Sequence, residues 1–175
     1  MHGGLTPAPA GNADPRGTDS LKLIGVISDT HGLVRPQALD ALRDTDLIIH
    51  AGDIGSPDVI AALEGLGPVY AVRGNVDRAA WAVRFPETQV VQVEGLSIYV
   101  LHDLGRLDLD PGAAGIRIVI TGHSHQPALT TRRGILYLNP GSAGPQRFRL
   151  PISLAKLRVG DGNPQAELID LSAIA

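Results

Sequence analysis

Two histidines separated by one residue, His123 and His125, carry the clearest chemical signal in the sequence. Alternate side chains on an extended or tightly turned backbone project to the same side, so both imidazoles can reach one metal centre. Imidazole is the commonest metal-ligating side chain in proteins. Two polar residues in a surface turn would show the same pattern. The pair therefore predicts a metal site only when it is taken together with the rest of the chain.

Further residues of metal-ligand type recur at intervals of about 21 to 27 residues, each after an apolar segment. They are Asp29, His31, Asp53, Asn75 and His102. Taken singly, the aspartates and Asn75 could be turn formers or helix caps, and His102 could be a hydrogen-bonded histidine at a strand end. Because all of them end apolar segments, as the histidine pair does, we predict that they converge on one site.

The predicted ligand set contains two carboxylates, one amide oxygen and four imidazoles. This mixture of nitrogen and oxygen suits two divalent transition metal ions, and it suits calcium poorly because calcium prefers an all-oxygen shell. The sequence has no cysteine, which excludes disulfides, thiolate metal sites and thiol nucleophiles. The candidate metals are therefore Mn, Fe, Co, Ni and Zn.

The elements that must position these residues follow from the apolar segments. The first half predicts strands at residues 21–28, 46–51 and 69–72, separated by helices at 36–43 and 57–66. Such alternation implies parallel crossovers, and the ligand site of such a sheet lies beyond the carboxyl ends of its strands. The second half is richer in strands, predicted at 89–93, 96–101, 116–120, 135–138, 153–159 and 166–171. Two packed β-sheets with helices on the outside fit this pattern.

Residues 1–20 are rich in Gly, Pro, Ala, Asn and Asp and offer little apolar surface to bury. We expect a disordered leader there, followed by a single domain over residues 21–175. The leader lacks the charged start and apolar centre of a secretory signal, which favours a cytoplasmic location. The apolar runs are too short to cross a bilayer. The net charge of -3 gives no broad attraction to nucleic acid or to an anionic membrane.

Four motifs together resemble those of the calcineurin-like metallophosphoesterase superfamily. They are Asp29-x-His31, Gly52-Asp53, Gly74-Asn75-x-Asp77 and Gly122-His123-x-His125. Within the superfamily the chain is similar, from about Leu21 to Ser142, to the small single-domain bacterial and archaeal branch usually described as phosphodiesterases. The resemblance implies an α/β (α+β) fold, a four-layer sandwich of two mixed β-sheets flanked by helices.

The resemblance also implies how the ligands divide between two divalent transition metal ions, with manganese favoured among the candidates. One metal would be held by Asp29, His31, Asp53 and His125, and the other by Asp53, Asn75, His102 and His123. Asp53 would bridge the two ions, because its carboxylate can turn one oxygen toward each of them.

Two ions about 4 Å apart clamp a phosphoryl group and acidify a bridging water, so the resemblance implies hydrolysis of a small phosphodiester by a metal-bridging hydroxide. The catalytic candidates are Asn75, Asp77 and His102. Asp77 is expected to orient a metal-bound water or a ligand histidine, or alternatively to cap a helix that starts near Arg78. The substrate-binding candidates are Arg73 and Arg147, both of which could equally be solvated surface residues.

Two positions differ from the usual pattern of the superfamily. Val76 stands where larger members commonly have a histidine that stabilises the leaving group, and Asp103 follows His102 where members usually have glycine. Valine cannot donate a proton, and Asp103 is expected to crowd the second metal. The alternatives to a phosphodiesterase are an interaction scaffold, as in a trafficking subunit of the superfamily, and a nuclease. The complete ligand set favours the enzyme, and an aromatic content of 3% argues against the nuclease.

Overall fold

The first half of the chain alternates strands with helices, as the apolar segments predict. The computed structural model describes residues 21–173, so the predicted leader at residues 1–20 lies outside the described residues. The elements of this half are β1 (Lys22–Ile27), α1 (Pro36–Leu42), β2 (Leu47–His50), α2 (Pro57–Glu64) and β3 (Val69–Ala71). The side chain of Ser56 caps α2 by accepting a hydrogen bond from the Asp58 N–H, at 3.2 Å. Gly65 ends α2 two residues earlier than predicted.

The second half is mostly strand, and two of its tight turns explain the strand pairing. Its strands are β4 (Thr88–Val93), β5 (Leu96–Leu101), β6 (Ile116–Ile120), β7 (Ala128–Arg132), β8 (Ile135–Asn139), β9 (Ser153–Val159) and β10 (Gln165–Asp170). Glu94-Gly95 and Arg133-Gly134 form two-residue hairpin loops in which both residues have positive φ. This backbone suits the twist of the flanking strands. A 3-10 helix at Ala80–Arg84 stands where a helix was expected near Arg78.

The ten strands form two five-stranded mixed sheets. The first has the order β10-β9-β1-β2-β3, and the second has the order β4-β5-β6-β8-β7. In each sheet three neighbouring strands are parallel: β1, β2 and β3 in the first, and β5, β6 and β8 in the second. The carboxyl ends of parallel strands lie at one edge of a sheet, so each sheet presents three loops at such an edge.

The core between the sheets is built from alternate side chains of the central strands. Ile24, Val26 and Ile49 of the first sheet pack there with Ile98 and Ile118 of the second, and each is fully buried. The two α-helices cover the outer face of the first sheet, where Leu42 and Leu63 are buried. The two-sheet sandwich predicted from the sequence is thereby confirmed.

The outer face of the second sheet is covered differently from that of the first. Its apolar residues, which include Tyr99 and Val119, pack against Leu107 and Leu109 from the segment between β5 and β6. That segment begins with a 3-10 helix at Leu104–Arg106 and otherwise has no regular structure. Among residues 21–173, no helix is long and apolar enough to span a bilayer.

Candidate metal centre

The predicted ligands follow the carboxyl ends of five of the six parallel strands. Asp29 and His31 follow β1, Asp53 follows β2 and Asn75 follows β3 in the first sheet. In the second sheet His102 follows β5, and the pair His123 and His125 follows β6. We call these seven residues the ligand cluster. The strands of two different sheets thus bring together side chains that are as many as 96 positions apart in the chain.

Most of the ligand cluster lies on strained backbone. Within the described residues, eight non-glycine residues have positive φ, and five of them belong to the cluster. These five are Asp29, His31, Asp53, His123 and His125, with φ between 47° and 68°. The left-handed conformation costs roughly 1–2 kcal/mol for an L-residue and persists only where surrounding contacts enforce it. The concentration of this strain at one site indicates that the fold is built to hold these side chains in place.

Three of these side chains meet around one carboxylate oxygen. Asp29 Oδ1 lies 3.2 Å from His125 Nε2 and 3.9 Å from His31 Nε2, and the two imidazole nitrogens are 3.3 Å apart. Two ligands that each lie about 2.1 Å from one ion are separated by roughly 3–4 Å, depending on the angle between them. Asp29, His31 and His125 therefore have the spacing of ligands to a single cation.

Asp53 lies between two groups of ligands, the first group being Asp29, His31 and His125 and the second group being Asn75, His102 and His123. Its Oδ2 is 3.7 Å from His31 Nε2, whereas its Oδ1 is 3.3 Å from His102 Nε2. Each oxygen thus faces a different histidine, which is the arrangement that a bridging carboxylate needs. Asp29 also reaches toward the second group, because its Oδ1 is 3.9 Å from His102 Nε2. The family resemblance implies that Asp29 binds the first metal alone.

Asn75 and His123 lie at the outer side of the same group. Asn75 Oδ1 is 3.2 Å from His123 Nδ1, and the ring centroids of His123 and His102 are 5.2 Å apart. Both Asn75 and His123 are exposed, whereas Asp29, Asp53, His102 and His125 are at most 6% exposed. The second group of ligands is therefore more open to solvent than the first.

The buried polar atoms at the centre of the cluster lack ordinary partners. Asp29 Oδ1 and His102 Nε2 are fully buried and make no hydrogen bond with any described residue. Leaving such atoms unpaired is costly, and a bound cation would pair both. His102 Nδ1 lies 2.8 Å from the carbonyl oxygen of Ala51. A proton on Nδ1 donates to that oxygen and leaves the Nε2 lone pair facing the carboxylates, as in metal-ligating histidines. The residues present therefore fit a divalent metal ion.

The electrostatics of the cluster also favour cation binding near neutral pH. Burial and, to a lesser extent, the nearby charges of Arg147 and His31 together lower the pKa of His125 to about 4. Burial likewise lowers the pKa of His31, so both imidazoles are neutral and able to coordinate. Burial raises the pKa of Asp29 to about 6, with the Ser28 hydroxyl acting in the opposite direction. Asp29 is thus largely ionised at pH 7 and becomes protonated as the pH falls below about 6.

The structure places Asp77 where it joins two loops of the site. Asp77 is buried, and its carboxylate accepts hydrogen bonds from the backbone N–H groups of Ile54, Gly55 and Gly74, at 2.8–3.0 Å. Among the described residues it bonds to no histidine ring, and the 3-10 helix at Ala80–Arg84 has no side-chain cap. Asp77 therefore ties the loop that carries Asp53 to the loop that carries Asn75. It is a positioning residue.

The sequence did not reveal two positioning residues, one at the end of β8 and one three residues after it. Asn139, at the end of β8, donates from Nδ2 to the carbonyl oxygen of Gly122 at 2.7 Å. Ser142 Oγ donates to the carbonyl oxygen of Asp29 at 2.9 Å. The sixth parallel strand thus supplies the supports that hold the backbone on either side of the cluster. The motif Asn139-Pro140-Gly141-Ser142 after an apolar strand was the available signal, since Asn and Ser commonly bond to backbone in turns.

The sequence reasoning also left out His50, which is fully buried at the end of β2. The Gly52 N–H donates to His50 Nδ1 at 3.2 Å, so the ring carries its proton on Nε2. Nε2 then donates to Thr30 Oγ1 at 2.9 Å, and Thr30 donates to the carbonyl oxygen of Ile54 at 3.0 Å. This chain joins the loops after β1 and β2, which carry Asp29 and Asp53. His50 is a satisfied core histidine that supports the site.

The two predicted substrate-binding arginines lie on different sides of the cluster. Arg73 Nη2 donates to Glu87 Oε1 at 3.1 Å, so this guanidinium is partly committed to an ion pair. Arg147 is exposed, and its charge lowers the pKa values of His31 and His125. Arg147 therefore lies near the first group of ligands, while Arg73 lies on the side of the second.

A cleft of about 670 Å³ opens beside the second group of ligands. Asn75, His102 and His123 form one end of it, and Tyr99 and Leu101 contribute its buried apolar part. Binding sites for small organic molecules commonly have volumes of roughly 300–1,000 Å³. The cleft is thus large enough for an organic group attached to a phosphate at the metal centre.

The two positions that depart from the superfamily pattern behave differently from each other. Val76 donates its backbone N–H to Asp53 Oδ1 at 3.1 Å, while its side chain is 44% exposed and carries no polar group. Asp103 Oδ1 accepts a hydrogen bond from the Gly105 N–H at 2.9 Å and so caps the 3-10 helix at Leu104–Arg106. That bond gives Asp103 a role in the local turn.

Comparisons with known proteins agree with this geometry. The calcineurin-like phosphoesterase superfamily domain matches residues 23–162. A probable metallophosphoesterase of Methanothermobacter thermautotrophicus is 38% identical over 166 residues, which are 86% of this chain and 94% of the relative. An archaeal phosphodiesterase has a similar structure, with a TM-score of 0.71, 22% identity, and coverage of 84% of this chain and 99% of that one. Vps29 from Entamoeba histolytica, complexed with zinc, gives a TM-score of 0.66 at 25% identity over 85% of this chain and 99% of that one.

Proposed function

The chain belongs to the calcineurin-like phosphoesterase superfamily, and from that premise we propose that it is a phosphodiesterase that uses two divalent metal ions. The first ion would be held by Asp29, His31, Asp53 and His125, and the second by Asp53, Asn75, His102 and His123. The substrate is a small phosphodiester whose phosphoryl group binds at the ligand cluster.

The observation that carries this proposal is the completeness of the ligand cluster. All seven side chains are present, they converge at one edge of the sandwich, and three buried atoms among them make no hydrogen bond within the described part of the chain. Buried carboxylate and imidazole atoms without hydrogen bonds lower stability, and bound cations would remove that cost.

In the proposed hydrolysis each residue of the site has its own role. A pair of bound divalent ions supplies positive charge to the phosphoryl oxygens and a nucleophilic water at neutral pH. Asp53 sets the spacing of the two halves of the site because each of its oxygens faces one of them. Asn75 contributes a neutral oxygen, which limits the negative charge opposed to the phosphate. Asp77 and His50 hold the loops of these ligands and keep their geometry fixed.

The leaving group receives little help from the side chain at position 76. Valine has no proton to donate, and its side chain is exposed. A departing alkoxide is a strong base that needs a proton, whereas an aryl oxide leaves without one. The proposed enzyme therefore prefers diesters with weakly basic leaving groups.

A substrate panel with defined metal content tests the proposed function. The protein is stripped with a chelator, reloaded with Mn²⁺, and assayed on an aryl phosphomonoester, an aryl phosphodiester and a cyclic nucleotide. We expect turnover of the diester to exceed turnover of the monoester, and to disappear after stripping. Preference for the monoester would contradict the assignment as a phosphodiesterase.

The likeness to Vps29, a vacuolar protein sorting protein by name, favours a second candidate function, an interaction scaffold. The same panel separates the two candidates. A scaffold binds Mn²⁺ at the ligand cluster but turns over none of the three ester types, whereas the proposed enzyme turns over the diester.

A further inference from the structure

The cleft beside the second group of ligands is larger than a phosphoryl group requires. Its volume of about 670 Å³ lies outside the ring of metal ligands and extends along the segment between β5 and β6. Tyr99 and Leu101 are 6% and 2% exposed and give it an apolar base, and Val83 on its rim is 70% exposed. One ester arm of a diester bound at the cluster therefore has room in this cleft, with apolar surface to contact.

Three arginines line the cleft, and they differ in how far they are already engaged. Arg73 pairs with Glu87 at 3.1 Å, and Arg78 donates from Nε to the carbonyl oxygen of Asn75 at 2.9 Å. The side chain of Arg106 makes no hydrogen bond or ion pair with any residue between 21 and 173. A guanidinium has five N–H donors, so Arg106 is the arginine of the cleft whose side chain is free to bind an anionic group.

Two acidic residues that line the cleft also differ in whether they already form a hydrogen bond. Asp103 is engaged with the Gly105 N–H, as described above. Asp108 is exposed, and within residues 21–173 it makes no hydrogen bond or ion pair. Its charge therefore opposes binding of an anion in the cleft, while the charge of Arg106 favours it. Arg106 and Asp108 therefore have opposite effects on anion binding, and variants of each can measure them separately.

We propose that the cleft accepts an ester arm that carries a second negative charge, and that Arg106 is the specificity-determining residue for this charge. The inference rests on the proposed phosphodiesterase function. The substrate class is thus an organic phosphodiester with a further anionic group, such as a carboxylate or a phosphate, on the arm in the cleft. The apolar base of the cleft contacts the body of that arm, and Arg106 contacts its charge.

Two symmetric substrates test the inference, because symmetry places the same arm in the cleft whichever arm departs. Bis(4-nitrophenyl) phosphate has uncharged arms, and bis(3-carboxy-4-nitrophenyl) phosphate has one carboxylate on each arm. Both release a coloured nitrophenolate. The quantity measured is kcat/KM for the Mn²⁺-loaded enzyme and its variants, expressed for each variant relative to wild type on the same substrate.

Arg106→Ala is expected to lower kcat/KM for the carboxylated substrate about fivefold to tenfold, through loss of a charge-assisted hydrogen bond, and to leave the uncharged substrate unchanged. Asp108→Asn is expected to raise kcat/KM for the carboxylated substrate about twofold to threefold, because a repulsive charge is removed. Arg117→Ala is the matched control. Arg117 is exposed near the start of β6, at the opposite end of that strand from His123, and its loss should affect neither substrate.

The inference is overturned if Arg106→Ala lowers kcat/KM by the same factor for both substrates, or lowers it for neither. Failure of the proposed function gives a different result. In that case the wild-type Mn²⁺-loaded protein fails to hydrolyse the uncharged diester at all.

Discussion

Asp53 is the residue whose two carboxylate oxygens face different histidines, His31 and His102, at 3.7 and 3.3 Å. Asp53→Ala is expected to lose both ions and to lower turnover by about a thousandfold, since it removes the only proposed bridge. Asn75→Ala, which removes one exposed ligand, should keep the first ion and lose about tenfold to a hundredfold in turnover. The measurements are metal content per chain and kcat on an aryl diester.

Asp103→Ala is the control for these ligand variants. It removes a carboxylate next to His102 whose hydrogen bond goes to Gly105, so metal content and turnover should stay close to wild type. Two ions bound to Asp53→Ala at wild-type affinity would show that Asp53 does not bridge.

His50 makes the stability of the protein depend on pH in a defined direction. Burial lowers the pKa of His50 to about 3, with the charge of His102 acting in the same sense, whereas an unfolded histidine has a pKa near 6.5. Below pH 6.5 the unfolded state binds a proton that the folded state does not. The stabilisation is therefore complete above pH 6.5 and is lost as the pH falls toward 3, by about 1.4 kcal/mol per unit.

The test compares the metal-free wild type with His50→Gln by urea unfolding at pH 7 and pH 5. The variant should be less stable at pH 7, because it disturbs the hydrogen bonds to Gly52 and Thr30. Its loss of unfolding free energy on going to pH 5 should be smaller than that of wild type by about 2 kcal/mol, since the other titrating groups act equally in both proteins. Equal losses would mean that His50 is protonated in the folded state.

Val76 sets an expected preference among leaving groups. Val76→His should raise the rate on diesters with strongly basic leaving groups more than on nitrophenyl esters, because general acid catalysis contributes roughly a hundredfold to ten-thousandfold when a proton is needed. The measurement is the slope of log rate against leaving-group pKa for both proteins, with chemistry rate-limiting. A wild-type slope near zero would show that some other group already donates the proton.

At the scale of the elements, the sandwich depends on close contact between the loops after β1 and β6. A Cβ at position 122 would lie 2.7 Å from Asp29 Oδ2 and still closer to Ser28 Oγ. Gly122→Ala should therefore push the two loops apart, destabilise the protein by about 1–3 kcal/mol and weaken metal binding. Thermal unfolding with and without Mn²⁺ measures both effects.

Gly67→Ala is the matched control, because a Cβ at position 67 meets only the Asp46 carbonyl oxygen at an ordinary 3.8 Å. It should leave the increase in melting temperature caused by Mn²⁺ unchanged. An equal increase in Gly122→Ala would show that the close approach at Gly122 does not position the ligands.

The strands and the positions of the ligands at their ends could be predicted because apolar segments and turn residues are local signals. The roles of Asp77 and His50 could not be predicted from the sequence. Each of them forms a hydrogen bond with a residue of another loop that is 20 or more positions away in the chain. The left-handed backbone conformation of Asp29 and His125 could not be predicted either, because a non-glycine residue adopts it only where contacts with distant parts of the chain enforce it. Glycine is needed at position 122 because the backbone there packs closely against Ser28 and Asp29.

At the scale of the whole molecule, each sheet contributes three parallel strands to one edge, and the site lies between the two edges. The order of strands in the second sheet, with β8 between β6 and β7, follows from the hairpin at Arg133-Gly134 and was not predicted in detail. The packing of Leu107 and Leu109 on the outer face of that sheet could not be predicted either, because an irregular segment has no periodic pattern of apolar residues. That same segment carries Arg106 and forms a wall of the cleft.

Metal-dependent turnover, measured together with metal content, tests the central claim most directly. The chelator-stripped protein is titrated with Mn²⁺ while bound metal per chain and hydrolysis of bis(4-nitrophenyl) phosphate are recorded. We expect no hydrolysis without metal, and an activity that rises until two ions are bound per chain. Hydrolysis that survives complete removal of metal, or full activity with a single ion bound, would contradict a two-ion centre built on Asp53.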